Sequence, residues 1–285
     1  MFSKKFLPYT TTSERIWYYA LRMLCGLTLL FLLLPILVII PLSFNQGSML
    51  LYPIQSFSLH WYDTLFHSDD WIRATKNSFI VAPAATAIAT ILGTLAASGL
   101  HRTRFHGKGI LMAILISPMI VPLVVTGLGI YLFLSPFGLA NSYTGLILAH
   151  ATLGAPFVVT TVSATLQGFD PNLTRASYSL GANPFWTFTR ITLPIIAPGI
   201  IAGALFAFTA SFDEIVVTLF LAGPTQTTLP RQMFTGLREN ISPVIAAVAT
   251  ILILFSTSLL LVLEWLRGRS AAKTSKASNQ AHDSQ

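Results

Sequence analysis

Six apolar runs separated by polar or basic connections set the pattern of the chain. The first, 23–42, is about 20 residues long, enough to cross the hydrocarbon of a bilayer. It follows a basic head, 1–22, with Lys4, Lys5, Arg15 and Arg22. The run is too long for the apolar region of a cleaved leader and no A-x-A site follows it, so it is expected to be retained as a span. The second run, 77–100, is rich in Ala, Gly and Thr, with Asn77 expected to cap it. The third, 109–134, carries Pro118 and Pro122, which interrupt the helical hydrogen-bond ladder and predict a kink or an unwound turn. The fourth, 143–166, has Pro156 near its middle. The fifth, 195–222, repeats small residues at every fourth position, Gly199, Gly203, Ala207 and Ser211, a face suited to close helix packing in lipid. The sixth runs over 243–266.

The connections differ in character. Residues 43–76 form a long polar stretch in which 57–66 has apolar residues at helical spacing. That spacing predicts a surface helix at the membrane interface, or a contact for an external partner. Residues 101–108 are short and basic, and their two histidines have no neighbouring carboxylate or cysteine, so no metal site is expected. A short turn follows at 135–142, and a connection with Pro224, Pro230, Arg231 and Arg238 spans 223–242. The tail, 267–285, is polar and expected to be disordered. Residues 168–194 predict two short helices. Asp170 and Pro171 start the first, Gly181 ends it in a left-handed turn, and Asn183 and Pro184 start the second, which runs toward Leu193 and Pro194.

Composition fixes the class as all-α membrane protein. The 285 residues are 53% hydrophobic and 9% charged, with a mean hydropathy of +0.69, too apolar for a soluble domain of this size. The net charge of +7 does not point to nucleic acid, because the basic residues are divided among loops between spans. With six spans, both termini share a side with 101–108 and 168–194, and that side holds thirteen of the 17 Lys and Arg residues. The positive-inside rule makes that side cytoplasmic. Cys25 is the single cysteine, which excludes an internal disulfide and a cysteine-based metal site.

No catalytic constellation is present: there is no P-loop, HExxH, G-x-S-x-G or paired-cysteine motif. The polar feature of most interest inside a span is the pair Asp213 and Glu214. Each carboxylate costs about 2.5–3.5 kcal/mol at a helix centre, so each should face protein or water. In a continuous fifth helix the pair lies roughly 27 Å above Ile195, at ~1.5 Å per residue. Glu214 then falls on the small-residue face, while Asp213 shares a face with Thr209. Two roles are open. The pair ties helices together, or the helix ends early and solvates it; alternatively, Asp213, Glu214 and Thr209 form a cation-attracting wall of a substrate pathway.

Several stretches resemble a known family. Ala176, Leu180, Gly181, Ala182, Phe185, Ile191, Leu193 and Pro194 are similar to the cytoplasmic "EAA" loop of ABC-importer permeases, with Thr174 and Arg175 standing where that family usually has glutamates. SFDEIVVTLFLAGP (211–224), LPRQMF (229–234) and SPVIAAVATILIL (242–254) are similar to permeases of spermidine/putrescine-type importers. The resemblance implies a type I ABC importer permease in a bacterial inner membrane. It would have a six-helix transmembrane domain over 23–266, flanked by cytoplasmic segments 1–22 and 267–285. It makes 168–194 the coupling loop, with Arg175, Ala176, Leu180, Gly181, Ala182, Asn183, Pro184 and Phe185 at the ATPase surface. Implied partners are an ABC ATPase dimer, which alone holds ATP and Mg, a second related permease or a copy of this chain, and an extracellular or periplasmic substrate-binding protein. The implied cargo is a polyamine; relatives of the same architecture carry opines, ferric iron, thiamine or phosphonates. A self-sufficient ion-coupled transporter is the rival class. It is disfavoured because spans one to three and four to six show no repeat. An intramembrane enzyme lacks a visible nucleophile–base pair.

Overall fold

The structure, a computed structural model, describes residues 11–54, 56–103, 105–239 and 242–258. Lys4 and Lys5, Arg104, the end of the sixth apolar run and the tail lie outside them. The chain divides into two compact units, Met1–His67 with Glu239–Gln285, and Ser68–Arg238.

In the first unit, α1 (Thr12–Leu42) begins well before the apolar run. A reciprocal capping box starts it: the Glu14 amide donates to the Thr11 hydroxyl at 3.3 Å and the Thr11 amide to the Glu14 carboxylate at 2.8 Å. None of its residues is buried, so its apolar surface is left for lipid or a partner helix. The expected surface helix exists as α2 (His60–His67). Two hydrogen bonds tie it to the end of α1: Trp61 Nε1 donates to the Asn45 carbonyl at 2.7 Å, and the Tyr62 and Ser43 hydroxyls lie 2.7 Å apart.

The second unit starts with α3 (Asp69–Arg102), 34 residues long. Asn77 therefore does not cap the second span; the helix starts eight residues earlier, with Asp69 and Asp70 in its first turn opposite the positive end of the dipole. The Asn77 side chain does something else. Its Nδ2 donates to the Thr225 and Thr227 carbonyls at 2.9 and 2.8 Å, and its Oδ1 accepts from Tyr143 Oη at 2.7 Å. A buried amide that finds acceptors 148 and 150 residues away is worth more there than at a helix end.

The proline-bearing third span is broken. Helices α4 (Lys108–Ile120) and α5 (Leu123–Leu134) meet at 109°, with Val121 and Pro122 extended between them. Next come α6 (Tyr143–Gln167), α7 (Pro171–Ser179) and α8 (Pro184–Thr187). A π-helical turn (Phe188–Thr192) passes without interruption into α9 (Leu193–Phe212), so the second loop helix and the fifth span are one rod of 29 residues. Pro194 has no amide to give the preceding turn, and the wider π-turn absorbs the misfit without ending the helix. The fifth span stops at Phe212 instead of Ala222, and a separate short helix, α10 (Val216–Leu221), follows. Helix α11 (Leu229–Glu239) completes the unit. In the first unit, α12 (Val244–Ser258) is the described part of the sixth span. Among the described residues four helices are long and apolar enough to span, five with the bent pair taken as one, and α12 is a shorter apolar helix.

The second unit is built on α3, α6 and α9. Its core is small: Ala85, Ala89 and Ala97 of α3 meet Val158, Val162 and Leu166 of α6 and Ile196 and Ala207 of α9. The four-residue stripe of α9 is buried as expected and runs antiparallel to α6. Gly199 lies on Thr165 and Thr161, Gly203 on Thr161 and Val158, Ala207 on Gly154, and Ser211 on His150. A Cβ at Gly203 would sit 2.8 Å from Val158 Cα, so only glycine allows the helices to approach this closely.

Candidate functional site

Two places gather the residues singled out in the sequence. The first is the loop 168–194. Asp170 Oδ1 accepts from the Asn172 amide at 2.9 Å, and Asn183 Oδ1 from the Trp186 amide at 2.7 Å, so both short helices carry the expected caps with proline next in line. Gly181 has φ +82°, and the amides of Gly181 and Ala182 return to the Tyr178 and Ser177 carbonyls. The buried hydroxyls of Ser177 and Thr187, 2.8 Å apart, pin the two helices together. The result is a preformed hairpin with a cavity of about 560 Å³ between its arms. Ala176, Leu180, Gly181, Ala182 and Asn183 line it together with Trp186. Leu180 is 88% exposed and Phe185 77% exposed, although both are large and apolar. Arg175 and Pro184 are exposed beside them, with Arg175 donating to Asn172 Oδ1 at 3.4 Å. An apolar rim of this kind on a rigid hairpin is the chemistry of a protein-docking surface.

The second place lies where two spans break. A cavity of about 470 Å³ is walled on one side by Pro118, Met119, Val121 and Leu123, around the bend of the third span. On the other side it is walled by Thr209, Ala210 and 213–216, around the break in the fifth. Asp213 is exposed, and among the described residues its carboxylate has no hydrogen-bond or ion partner. Thr209 lies one turn earlier on the same wall, its hydroxyl donating to the Leu205 carbonyl at 3.0 Å. Helices α4 and α9 end at this cavity while α5 and α10 begin at it, so their dipole ends offset one another and the unpaired carboxylate sets the sign of the wall. An unpaired carboxylate in such a wall favours a positively charged occupant.

Glu214 behaves differently from its neighbour. Although it contributes to the cavity wall, it is buried, and its carboxylate is folded onto the start of α10. Oε1 accepts from the Val217 amide at 2.9 Å, while Oε2 accepts from the Thr218 amide at 3.0 Å and the Thr218 hydroxyl at 3.3 Å. Of the three proposed pathway residues, Asp213 and Thr209 share the cavity with free faces, whereas Glu214 caps a helix. The buried polar residue missed in the sequence is His150, whose ring nitrogens reach Ser211 Oγ at 2.8 Å and Thr218 Oγ1 at 3.1 Å. Its signal was available: an ionisable side chain inside the fourth apolar run is itself a reason for attention.

Residues 89–275 match the family described as binding-protein-dependent transport system inner membrane component. The chain is 33% identical over 234 residues to the spermidine/putrescine transport system permease protein PotC of Haemophilus influenzae, covering 81% of this chain and 90% of the relative. It is 36% identical over 238 residues to the putrescine transport system permease protein PotI of Escherichia coli, covering 81% and 84%. A probable molybdenum ABC transporter permease of Haloferax volcanii is 32% identical over 173 residues, covering 58% and 64%. Among solved structures, a bacterial ABC transporter involved in import of the acidic polysaccharide alginate superposes with a TM-score of 0.71 at 16% identity, covering 92% of this chain and 99% of that one.

Proposed function

The chain belongs to the family of binding-protein-dependent transport system inner membrane components, and from that premise we propose that it is the permease through which an ATP-driven importer moves polyamines such as spermidine and putrescine into the cell. It is a multi-pass inner-membrane protein of the type I ABC importer fold, a permease subunit with no ATPase site of its own. Residues 23–266 act as one permease domain. ATP and Mg are held by an ABC ATPase dimer that docks on the hairpin 168–194 through Leu180, Phe185 and the cavity between its arms. A second related permease completes the pathway, and a substrate-binding protein delivers cargo from outside. Both termini and the hairpin face the cytoplasm, in line with the charge distribution.

The observation that carries the cargo assignment is the unpartnered Asp213 carboxylate in the cavity between two broken spans. A polyamine has two or more positive charges, and a low-dielectric passage has to compensate them. One free carboxylate does so without holding the cargo tightly, and affinity is left to the binding protein. The relatives named for polyamines support the same cargo. The test is competition in vesicles containing the assembled transporter. Unlabelled spermidine and putrescine should displace labelled putrescine uptake, while thiamine and molybdate should not. Displacement by molybdate instead would assign the pathway to an anion.

A further inference from the structure

The break in the fifth span has a feature that the transport reading leaves unused. His150, two turns into α6, is 1% exposed and bonds through both ring nitrogens. One bond goes to Ser211, in the last turn of α9, and the other to Thr218, in the first turn of α10. Between those two residues the chain leaves one helix, passes Asp213 and Glu214, and enters the next. No other described side chain is hydrogen-bonded to both halves. We propose that His150 is the positioning residue of the pathway: by bridging the two halves of the broken span it keeps the Asp213 carboxylate turned to the cavity and the Glu214 carboxylate folded onto the start of α10. This rests on the reading of Asp213 as the wall that meets the cation.

The donor directions around the ring fit one another. The Glu214 carboxylate can only accept, and it lies 3.3 Å from Thr218 Oγ1, so the threonine proton points to it. With the ring in its Nε2–H tautomer, Thr218 Oγ1 accepts from His150 Nε2–H and Nδ1 accepts from Ser211 Oγ–H, an arrangement compatible with both contacts. Glu214 Oε2 lies 3.9 Å from Nε2, outside hydrogen-bond reach. The chain Ser211, His150, Thr218, Glu214 thus runs in one direction and ends on the amides that start α10. A leucine at 150 removes both central bonds. The backbone at 213–215 then loses the side-chain bridge that His150 makes across the break among the described residues, and the Asp213 carboxylate is free to leave the cavity.

Two measurements test this in the assembled transporter. In the first, His150→Leu should lower putrescine uptake severalfold per assembled complex, up to about the fivefold loss expected of Asp213→Asn alone. Adding Asp213→Asn to it should cost less than about twofold more, because both changes act through one carboxylate. Losses that multiply, or normal uptake in His150→Leu, would overturn the proposal. In the second, a cysteine replacing Asp213 in a Cys25→Ser background is alkylated with a small cationic thiol reagent. His150→Leu should change its rate severalfold, whereas an unchanged rate would overturn the proposal. The second measurement does not depend on cargo, so it still decides the role of His150 if the wild type carries no amine and the substrate reading fails by itself. If His150→Leu does not assemble, Thr218→Val and Ser211→Ala each remove one end of the bridge and take its place, with the same outcomes.

Discussion

Replacing Asp213 with asparagine keeps the shape of the cavity wall and removes a charge that has no partner among the described residues. An ammonium group passing ~5 Å from the carboxylate gains about 3 kcal/mol at an effective dielectric constant of ~20, and about 0.8 kcal/mol in bulk water. Asp213 is solvent-exposed within an open cavity, so the smaller part of that range applies, about 1 kcal/mol. That corresponds to roughly a fivefold fall in the transport rate of a diamine at limiting cargo, with a larger fall for spermidine, which carries one more charge. The carboxylate makes no hydrogen bond among the described residues, so assembly and cargo-independent ATPase activity should be unchanged. Glu214→Gln is the contrast. An amide has one acceptor oxygen, where Glu214 offers two to three donors. Its NH₂ would face the backbone amides that start α10, so the yield of assembled protein should fall. The assay is uptake of labelled putrescine and ATP hydrolysis in the same vesicles, with saturating binding protein. Wild-type uptake of both polyamines by Asp213→Asn would refute the electrostatic role given to this residue.

Three further outcomes follow from the geometry. Gly181→Val places a β-branched side chain at φ +82°, at a cost of roughly 1–2 kcal/mol. It should leave the protein inserted while uncoupling ATP hydrolysis from uptake; normal coupling would mean that the hairpin does not transmit the stroke. Gly203→Val drives a side chain into the Val158 backbone. It should lower the stability of the α6–α9 pair by about 1–3 kcal/mol, read as earlier thermal unfolding in detergent; unchanged unfolding would contradict the seam. In a Cys25→Ser background, a cysteine at Asn183 should be shielded from an impermeant thiol reagent outside intact cells and one at Gln226 should react. Outside labelling at Asn183 would reverse the orientation.

The parts of this molecule that were legible in advance are those governed by local chemistry. Asp170, Gly181 and Asn183 act within three residues of themselves, and their caps and turn appear as read. The stripe from Gly199 to Ser211 was legible because a period of four survives any detail of the neighbouring helix. Pro118 and Pro122 foretold an interruption, though not a bend of 109°. The break after Phe212 was legible only as one alternative, an early helix end at the acidic pair, since 216–222 is as apolar as the run before it. What opens the helix there is a set of partners. Glu214 satisfies the amides that start α10, and His150, 61 residues away in the chain, bonds across the gap. Asn77 was misread for the same reason, its carbonyl partners being supplied by a distant loop. Composition and the apolar runs carried the membrane assignment, and the quoted motifs carried the family.

The most direct measurement is putrescine accumulation in vesicles holding this chain with its permease partner and ATPase. Binding protein is supplied on the side of Gln226 and ATP on the side of the hairpin 168–194. The expected result is accumulation that requires ATP and binding protein together and persists when ion gradients are collapsed. Accumulation by this chain alone, driven by an ion gradient and indifferent to ATP, would contradict it.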